Sequence, residues 1–283
     1  MATAGELTLR PVRPADRERI VEMTKDVWGG HDYLPEVFDE WVADAASAFE
    51  ALEVDGVVVA VQRLRPYAAG LVWYEGLRVA SSHRRRGLAR AMLTSAIAEA
   101  KEQGHREMRL ATANLEAVPL FESVGFARLV DARWWRGPRI EGGESARIPG
   151  PAEAEKLWPA IARTPGIELY HGVVADFNGA RDLGAAELAR LAEMGMLRVG
   201  PGGRAVAGLR EPWGHNIAVG FIAGAGGALR DLLLALRFEA DADGLEDVVV
   251  TLPRDHPAAD DLRATGYDFA NDDDHAYIYA LTL

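Results

Sequence analysis

Three consecutive arginines, Arg84, Arg85 and Arg86, narrow the folds open to this chain, because they stand between a strand and a helix. From Gly87 to about Gln103 the apolar residues Leu88, Met92, Leu93, Ala96 and Ile97 share one face at helical spacing, and Leu71 to Val79 reads as the preceding strand. Cations are the wrong charge for a helix N-terminus, where the macrodipole and the free N–H groups favour anions. A bound phosphate resolves the conflict, since those N–H groups and the dipole together form an anion site. Gly87, which has no Cβ, and the small Ala89 let backbone approach such a ligand closely.

The surrounding chain predicts an α/β fold. Leu7-Thr8-Leu9-Arg10 alternates like a strand. Pro14-Ala15-Asp16 opens a helix carrying Ile20, Met23, Val27 and Trp28, and a second helix after Pro35 buries Val37, Phe38, Trp41 and Val42. Phe49 to Leu64 reads as two strands around Asp55-Gly56, a pair that supplies the positive φ angles of a tight hairpin. After the arginine-led helix come a strand at Glu107 to Thr112, a short helix at about Glu116 to Val124, the break Gly125-Phe126, and a strand pair near Leu129 and Trp134. The predicted order is β-α-α-β-β-β-α-β-α-β.

Residues 138–150, within GPRIEGGESARIPGP, are rich in Gly and Pro and read as a linker between domains 1–137 and 151–283. A shift of 141 residues aligns Gly125-Phe126 with Gly266-Tyr267, Asn114 with Asp255, Glu75 with Asn216, and the helix from Gly87 with that from Ala228, with no gap. This suggests an internal duplication, the alternative being two α/β patterns that coincide. Ala223-Gly224-Ala225-Gly226-Gly227 then reads as the degenerate counterpart of the arginine loop rather than a dinucleotide fingerprint, whose Gly-x-Gly-x-x-Gly spacing it lacks. Asp272-Asp273-Asp274 reads as a solvated turn.

Composition excludes several classes. A net charge of −12 argues against a nucleic-acid partner, and the charge is uneven: residues 1–137 carry 18 basic and 20 acidic side chains, residues 138–283 carry 13 and 23. Without cysteine there is no disulfide or thiolate metal site, and the seven histidines have no close pairing at metal spacing, so no metal is expected. No apolar run approaches the roughly 18 residues of a membrane span, and the first residues lack a signal-like apolar region. A cytoplasmic protein without a membrane partner is the expectation, monomer or homodimer being left open. Nucleophile-elbow, Walker and zinc-helix motifs are absent.

The pattern Arg84-x-x-Gly87-x-Ala89, with Leu77-Arg78-Val79 before it and Asn114 and AVPLFESVGF after it, resembles the GNAT superfamily of acetyl-CoA-dependent N-acetyltransferases over roughly residues 6–136. The resemblance implies a mixed twisted sheet of the GNAT type, here in tandem with a degenerate second copy. It also implies that backbone groups of Leu77 and Val79, flanking Arg78, bind the pantetheine arm. The same resemblance implies that the backbone of Arg84, Arg85, Arg86, Gly87, Leu88 and Ala89 cradles the pyrophosphate and that Asn114 lies near the thiol end. The family's tyrosine acid is replaced by Phe121, a cofactor contact with no proton to give.

An amine acceptor near pKa 10.4 is mostly protonated at neutral pH, so a proton acceptor is useful. Glu75 is the candidate, placed by two-residue alternation on one face with Trp73, Leu77 and Val79. A carboxylate among apolar neighbours is costly unless paired or functional, so a salt bridge to an arginine such as Arg109 is the competing role. Tyr74 or Tyr33 are substitutes for the missing acid. Trp28, His31, Asp32 and Tyr33 concentrate rings and charge between the first two helices, where an acceptor is expected. Asp32-Tyr33-Leu34-Pro35 and Glu75-Gly76-Leu77-Arg78-Val79 are similar to the vertebrate histidine N-acetyltransferase branch. That likeness implies a small amine or free amino acid as acceptor, with Asp32 or Glu75 meeting its ammonium. A non-catalytic acyl-CoA sensor and a protein-directed acetyltransferase are the alternatives.

Overall fold

The computed structural model describes residues 6–176, 179–212, 214–270 and 275–283, without the side chains of Trp28 and Asp176. Asp272-Asp273-Asp274 therefore lies outside the described residues. The chain forms two compact units, Met1–Leu110 with Leu120–Phe126 and Ala280–Leu283, and Ala111–Pro119 with Ala127–Tyr279.

The first unit runs through β1 (Leu7–Pro11), α1 (Arg17–Thr24), α2 (Leu34–Ala43), β2 (Ala48–Val54), β3 (Val57–Ala68), β4 (Leu71–Val79), α3 (Leu88–Glu102), β5 (Glu107–Thr112) and α4 (Val118–Ser123). Strands β1 to β4 pair antiparallel in sequence order, and β5 returns parallel to β4 through the crossover helix α3. Asp55 and Gly56 take φ angles of 50° and 79°, as a two-residue hairpin requires. Ile20, Phe38 and Trp41 pack with Val58 and Val61 on one face of β3, while Leu88 and Met92 of α3 pack with Val59 and Ala60 on the other. Helix α1 stops short of Val27 and Trp28, which fall in a separate 3-10 turn, Val27–Gly30.

The second unit opens with β6 (Ala127–Pro138), one continuous strand where a strand pair was expected. Its residues Ala132 to Pro138 pair in continuous register with residues Pro253 to Asp247, so no turn interrupts them. There follow α5 (Pro151–Ile161), β7 (Val173–Asp176), β8 (Gly179–Asp182), α6 (Ala185–Glu193), β9 (Leu197–Val199), β10 (Val206–Arg210) and β11 (Asn216–Ala223). The unit is completed by α7 (Gly226–Ala242), β12 (Asp247–Pro253), α8 (Ala259–Ala264), β13 (Asp268–Phe269) and β14 (Ala276–Thr282). The strand order is β6-β12-β11-β10-β9, with β13 beside β6 and β11 parallel to β12 across α7.

Residues 138–150, expected as a linker, pack within the second unit. Arg147 and Val199 exchange backbone hydrogen bonds of 2.9 and 2.8 Å. Gly143 lies so close to Phe238 that a Cβ would sit 2.2 Å from the ring. Because β6 clusters with the second unit, the division of the chain does not fall at residues 137 and 138.

Both units contain a β-α-β-α run, but a gap is needed to superimpose their sequences. Helices α4 and α8 are related by the 141-residue shift, and so are Arg109 and Val250. Their parallel partners are Trp73 and Val219, which differ by 146. The counterpart of Glu75 is therefore Phe221, five residues beyond the expected Asn216.

Candidate active site

Strand β4 pairs with β5 only as far as Trp73 opposite Arg109, yet it continues to Val79. Its last six residues thus splay away from β5. Ala80 N–H donates to Val59 O in β3 at 2.8 Å, so by alternation Leu77 and Val79 turn their backbone groups to the open side. Their carbonyls meet arginines there: Arg78 Nη1 donates to Leu77 O at 3.0 Å and Arg84 Nε to Val79 O at 3.3 Å.

The chain then passes through Arg85, at φ 62°, and Gly87, at φ 81°, before α3 begins. The first helical hydrogen bond runs from Ala91 N–H to Gly87 O at 3.0 Å. Among the described residues, the amides of 85–90 donate to nothing in the chain. A Cβ built on Gly87 meets no atom within 4 Å, so the space over this helix start is open. Arg84, Arg85 and Arg86 are exposed, Ala89 is half-buried, and Leu88 anchors the turn in the core. Open amides at a helix start beside basic side chains fit a pyrophosphate, and the splayed edge fits an amide-bearing arm such as pantetheine.

A bulge changes the reading of Glu75. Val61 lies opposite Arg78 and Arg63 opposite Glu75, so Gly76 and Leu77 together face Gln62 alone. The alternation slips by one, and Glu75 shares a face with Arg78, Trp73 and Arg63 rather than with Leu77 and Val79. Gly76, at φ 69°, makes this possible: a Cβ there would sit 2.6 Å from the Trp41 ring. The expected partner Arg109 pairs with Glu107 instead. Glu75 Oε1 accepts from Arg63 Nη1 at 2.9 Å and Arg65 Nε at 3.2 Å. Arg63 also pairs with Asp44 and lies 4.6 Å from the Trp41 ring centroid. Burial pushes the Glu75 carboxyl above the ordinary carboxylate range, and Arg65 and Arg63 pull against that rise.

Asp32 is not available to an acceptor amine. It is 7% exposed, its two oxygens accept from Arg78 Nε at 2.7 Å and Nη2 at 3.0 Å, and Oδ1 also accepts from Leu34 N–H at 3.1 Å at the start of α2. Arg78 is thereby committed to Asp32, with its guanidinium 5.3 Å from the Tyr33 ring. Tyr33 is half-buried edge-on to Trp41, His31 is exposed, and the Trp28 side chain lies outside the described residues. Burial raises the Tyr33 hydroxyl above its usual range.

Tyr74 does not serve as an acid facing Glu75. It lies opposite Leu64 on the other face of the sheet, 2% exposed, where its hydroxyl donates to Gln62 Oε1 at 3.0 Å. Phe121, 6% exposed, packs edge-on against Phe126 and is a core residue. Asn114 is exposed and belongs to the 111–119 segment of the second unit, with its Oδ1 accepting from Glu116 N–H at 3.0 Å. Neither Arg63 nor Asp44 belongs to a motif in the sequence. Arg63 carries a signal, a cation at the end of the apolar run VVVAVQR, but its partners are 12 and 19 residues away.

A mixed sheet with a splayed fourth strand and an open helix start defines a GNAT-type fold. Residues 17–126 match the family model described as acetyltransferase (GNAT) family. The tandem GNAT protein from the clavulanic acid biosynthesis pathway has the same fold over 98% of this chain and 98% of its own, with TM-score 0.58 and 16% identity. A GCN5-related N-acetyltransferase from Sphaerobacter thermophilus covers 98% of this chain and 95% of its own, with TM-score 0.61 and 14% identity. Histidine N-acetyltransferase of Oreochromis niloticus is 33% identical over 79 residues, 28% of this chain and 23% of that relative. The chain thus matches less than a quarter of that relative's length.

Proposed function

We propose that the first unit binds acetyl-CoA and transfers its acetyl group to the primary amine of a small molecule, an amino acid included. The observation that carries this reading is the open helix start at Gly87, whose amides at 85–90 have no partner in the chain, beside the splayed end of β4. The amides hold the pyrophosphate, the arginines add charge, and the Leu77 and Val79 backbone orients the pantetheine arm. Bound acetyl-CoA supplies the acyl group as a thioester.

Glu75 is the proton acceptor for the acceptor ammonium. Its raised pKa brings its basicity nearer that of the amine, while Arg63 and Arg65 hold it in place. His31 and Tyr33 flank the acceptor from the segment between α1 and α2. Phe121 in the core and Tyr74 on the opposite face leave neither side chain placed to protonate a thiolate, and a thiol with reference pKa near 8.5 would leave without a dedicated acid, drawing its proton from solvent.

The test is release of free CoA from acetyl-CoA with a panel of amines, free amino acids and peptides. Turnover with small amines or amino acids is the expected result. Tight CoA binding without thiol release for any acceptor supports instead a sensor, the reading that the buried Phe121 favours. Turnover with peptides alone supports a protein acceptor.

A further inference from the structure

The second unit carries the same two features as the first, a strand splay and a helix start, and at each a side chain of the unit itself accepts a backbone N–H. Parallel pairing of β11 with β12 ends at Val219 opposite Val250, while β11 runs on to Ala223. Along that free stretch Ile222 N–H donates to the Tyr170 hydroxyl at 3.1 Å, and Tyr170 is 2% exposed. Strand β7 crosses at Gly220, where a Cβ would sit 2.4 Å from Ala175 O. At the helix start, Gly226 N–H donates to Asp261 Oδ2 at 3.1 Å, and Arg230 Nε donates to Oδ1 at 2.7 Å. Asp261 is 9% exposed and projects from α8; the 141-residue shift that superimposes α4 on α8 puts Leu120 at its place in the first unit.

We infer that the second unit is a self-liganded copy of the acyl-CoA fold: the Asp261 carboxylate occupies the anion position at the start of α7, the Tyr170 hydroxyl occupies the strand splay, and each chain takes one acyl-CoA. A carboxylate at a helix N-terminus satisfies the same free N–H groups and the same dipole as a phosphate would. An internal ligand has no translational freedom to lose on binding, so an external anion must displace a group that is always present. The count of one site rests on the reading of the first unit given above, whereas the filling of the second unit does not.

Two measurements on the full chain separate these claims. Titration calorimetry with CoA is expected to give one site in the wild type and none in Gly87→Trp. Two sites in the wild type, or one surviving in Gly87→Trp, overturns the inference. No site at all in the wild type overturns the reading of the first unit, and the second measurement then decides the inference alone.

That measurement is thermal unfolding with and without sodium pyrophosphate in the Gly87→Trp background, which removes the first loop. Gly87→Trp is expected to show no pyrophosphate-dependent shift. Gly87→Trp/Asp261→Gly, with the internal carboxylate gone and Arg230 unpaired from it, is expected to gain a rise of about 5 °C at saturating anion. If that variant does not fold, Gly87→Trp/Asp261→Asn keeps the side-chain shape without the charge and is expected to gain a smaller rise. No gain in the variant that folds, or an equal rise with Asp261 intact, overturns the assignment of Asp261 as the internal anion.

Discussion

The helix starts at Gly87 and Gly226 stand on the same parallel β-α-β crossover, yet the amides at the first have no partner among the described residues, whereas the first amide of the second donates to a carboxylate. At Gly87 the chain bends through a non-glycine residue, Arg85, in the left-handed region, a conformation worth about 1–3 kcal/mol of strain. Such strain persists where the surroundings hold it, and here it presents consecutive amides to solvent beside three arginines. At Gly226 the first amide is bonded and a nearby arginine is paired. The two crossovers thus differ at one matched α-helical position, Leu120 in one and Asp261 in the other, as well as in the arginines that stand only before Gly87.

The strongest way to break this comparison is to fill the open start. Gly87→Trp is expected to weaken acetyl-CoA binding by more than about 100-fold, since a large side chain occupies the open space and a positive φ disfavours it. Calorimetry checks this, with Gly227→Trp at the second helix start as the contrast. Gly227 is exposed with open space around it, and its substitution is expected to change affinity less than about 2-fold.

Glu75→Gln is expected to lower turnover by about 100-fold while leaving acetyl-CoA affinity within about 2-fold, because a lost base acts on the chemical step. The same residue sets a pH dependence. The base works when ionised, and its carboxyl titrates above the ordinary carboxylate range, so kcat/KM falls as pH drops through that raised value. A pH profile whose acid limb survives in Glu75→Gln removes Glu75 from that role.

Copying the closed arrangement into the open unit sharpens the comparison further. Leu120→Asp is expected to reduce acetyl-CoA affinity roughly 10-fold by placing a carboxylate near the pyrophosphate. In the closed unit, Asp261→Ala is expected to cost about 1 kcal/mol, mostly through the lost helix cap, because Arg230 is half in solvent. Chemical denaturation measures it, and an unchanged midpoint would remove the cap from the stability of the second unit.

Much of the first unit was legible from local signals. Strand β4 and strand β5 have the bounds read from the sequence, and α3 buries Leu88, Met92, Leu93 and Ala96 as their spacing predicts. The arginines and Gly87 identified the helix start because its conflict of charge lies within a few consecutive residues. What misled was the assumption of an unbroken period. One bulge at Gly76 moved Glu75 to the opposite face from Leu77, and an offset of five residues moved its counterpart from Asn216 to Phe221. Gly and Pro made residues 138–150 look like a linker, whereas Gly143 is there because Phe238 leaves no room for a side chain.

The amino-acid order alone settled the crossover, its amphipathic helix and the basic turn before it, since each depends on neighbours within one or two helical turns. The partners of Glu75, the commitment of Asp32 to Arg78, the burial of Tyr74 and the seat of Asp261 depend on residues 10 to 46 positions apart. Side chains so distant meet only when sheet register and helix packing bring them together. Their charges are then weighed in a buried setting that no local pattern contains.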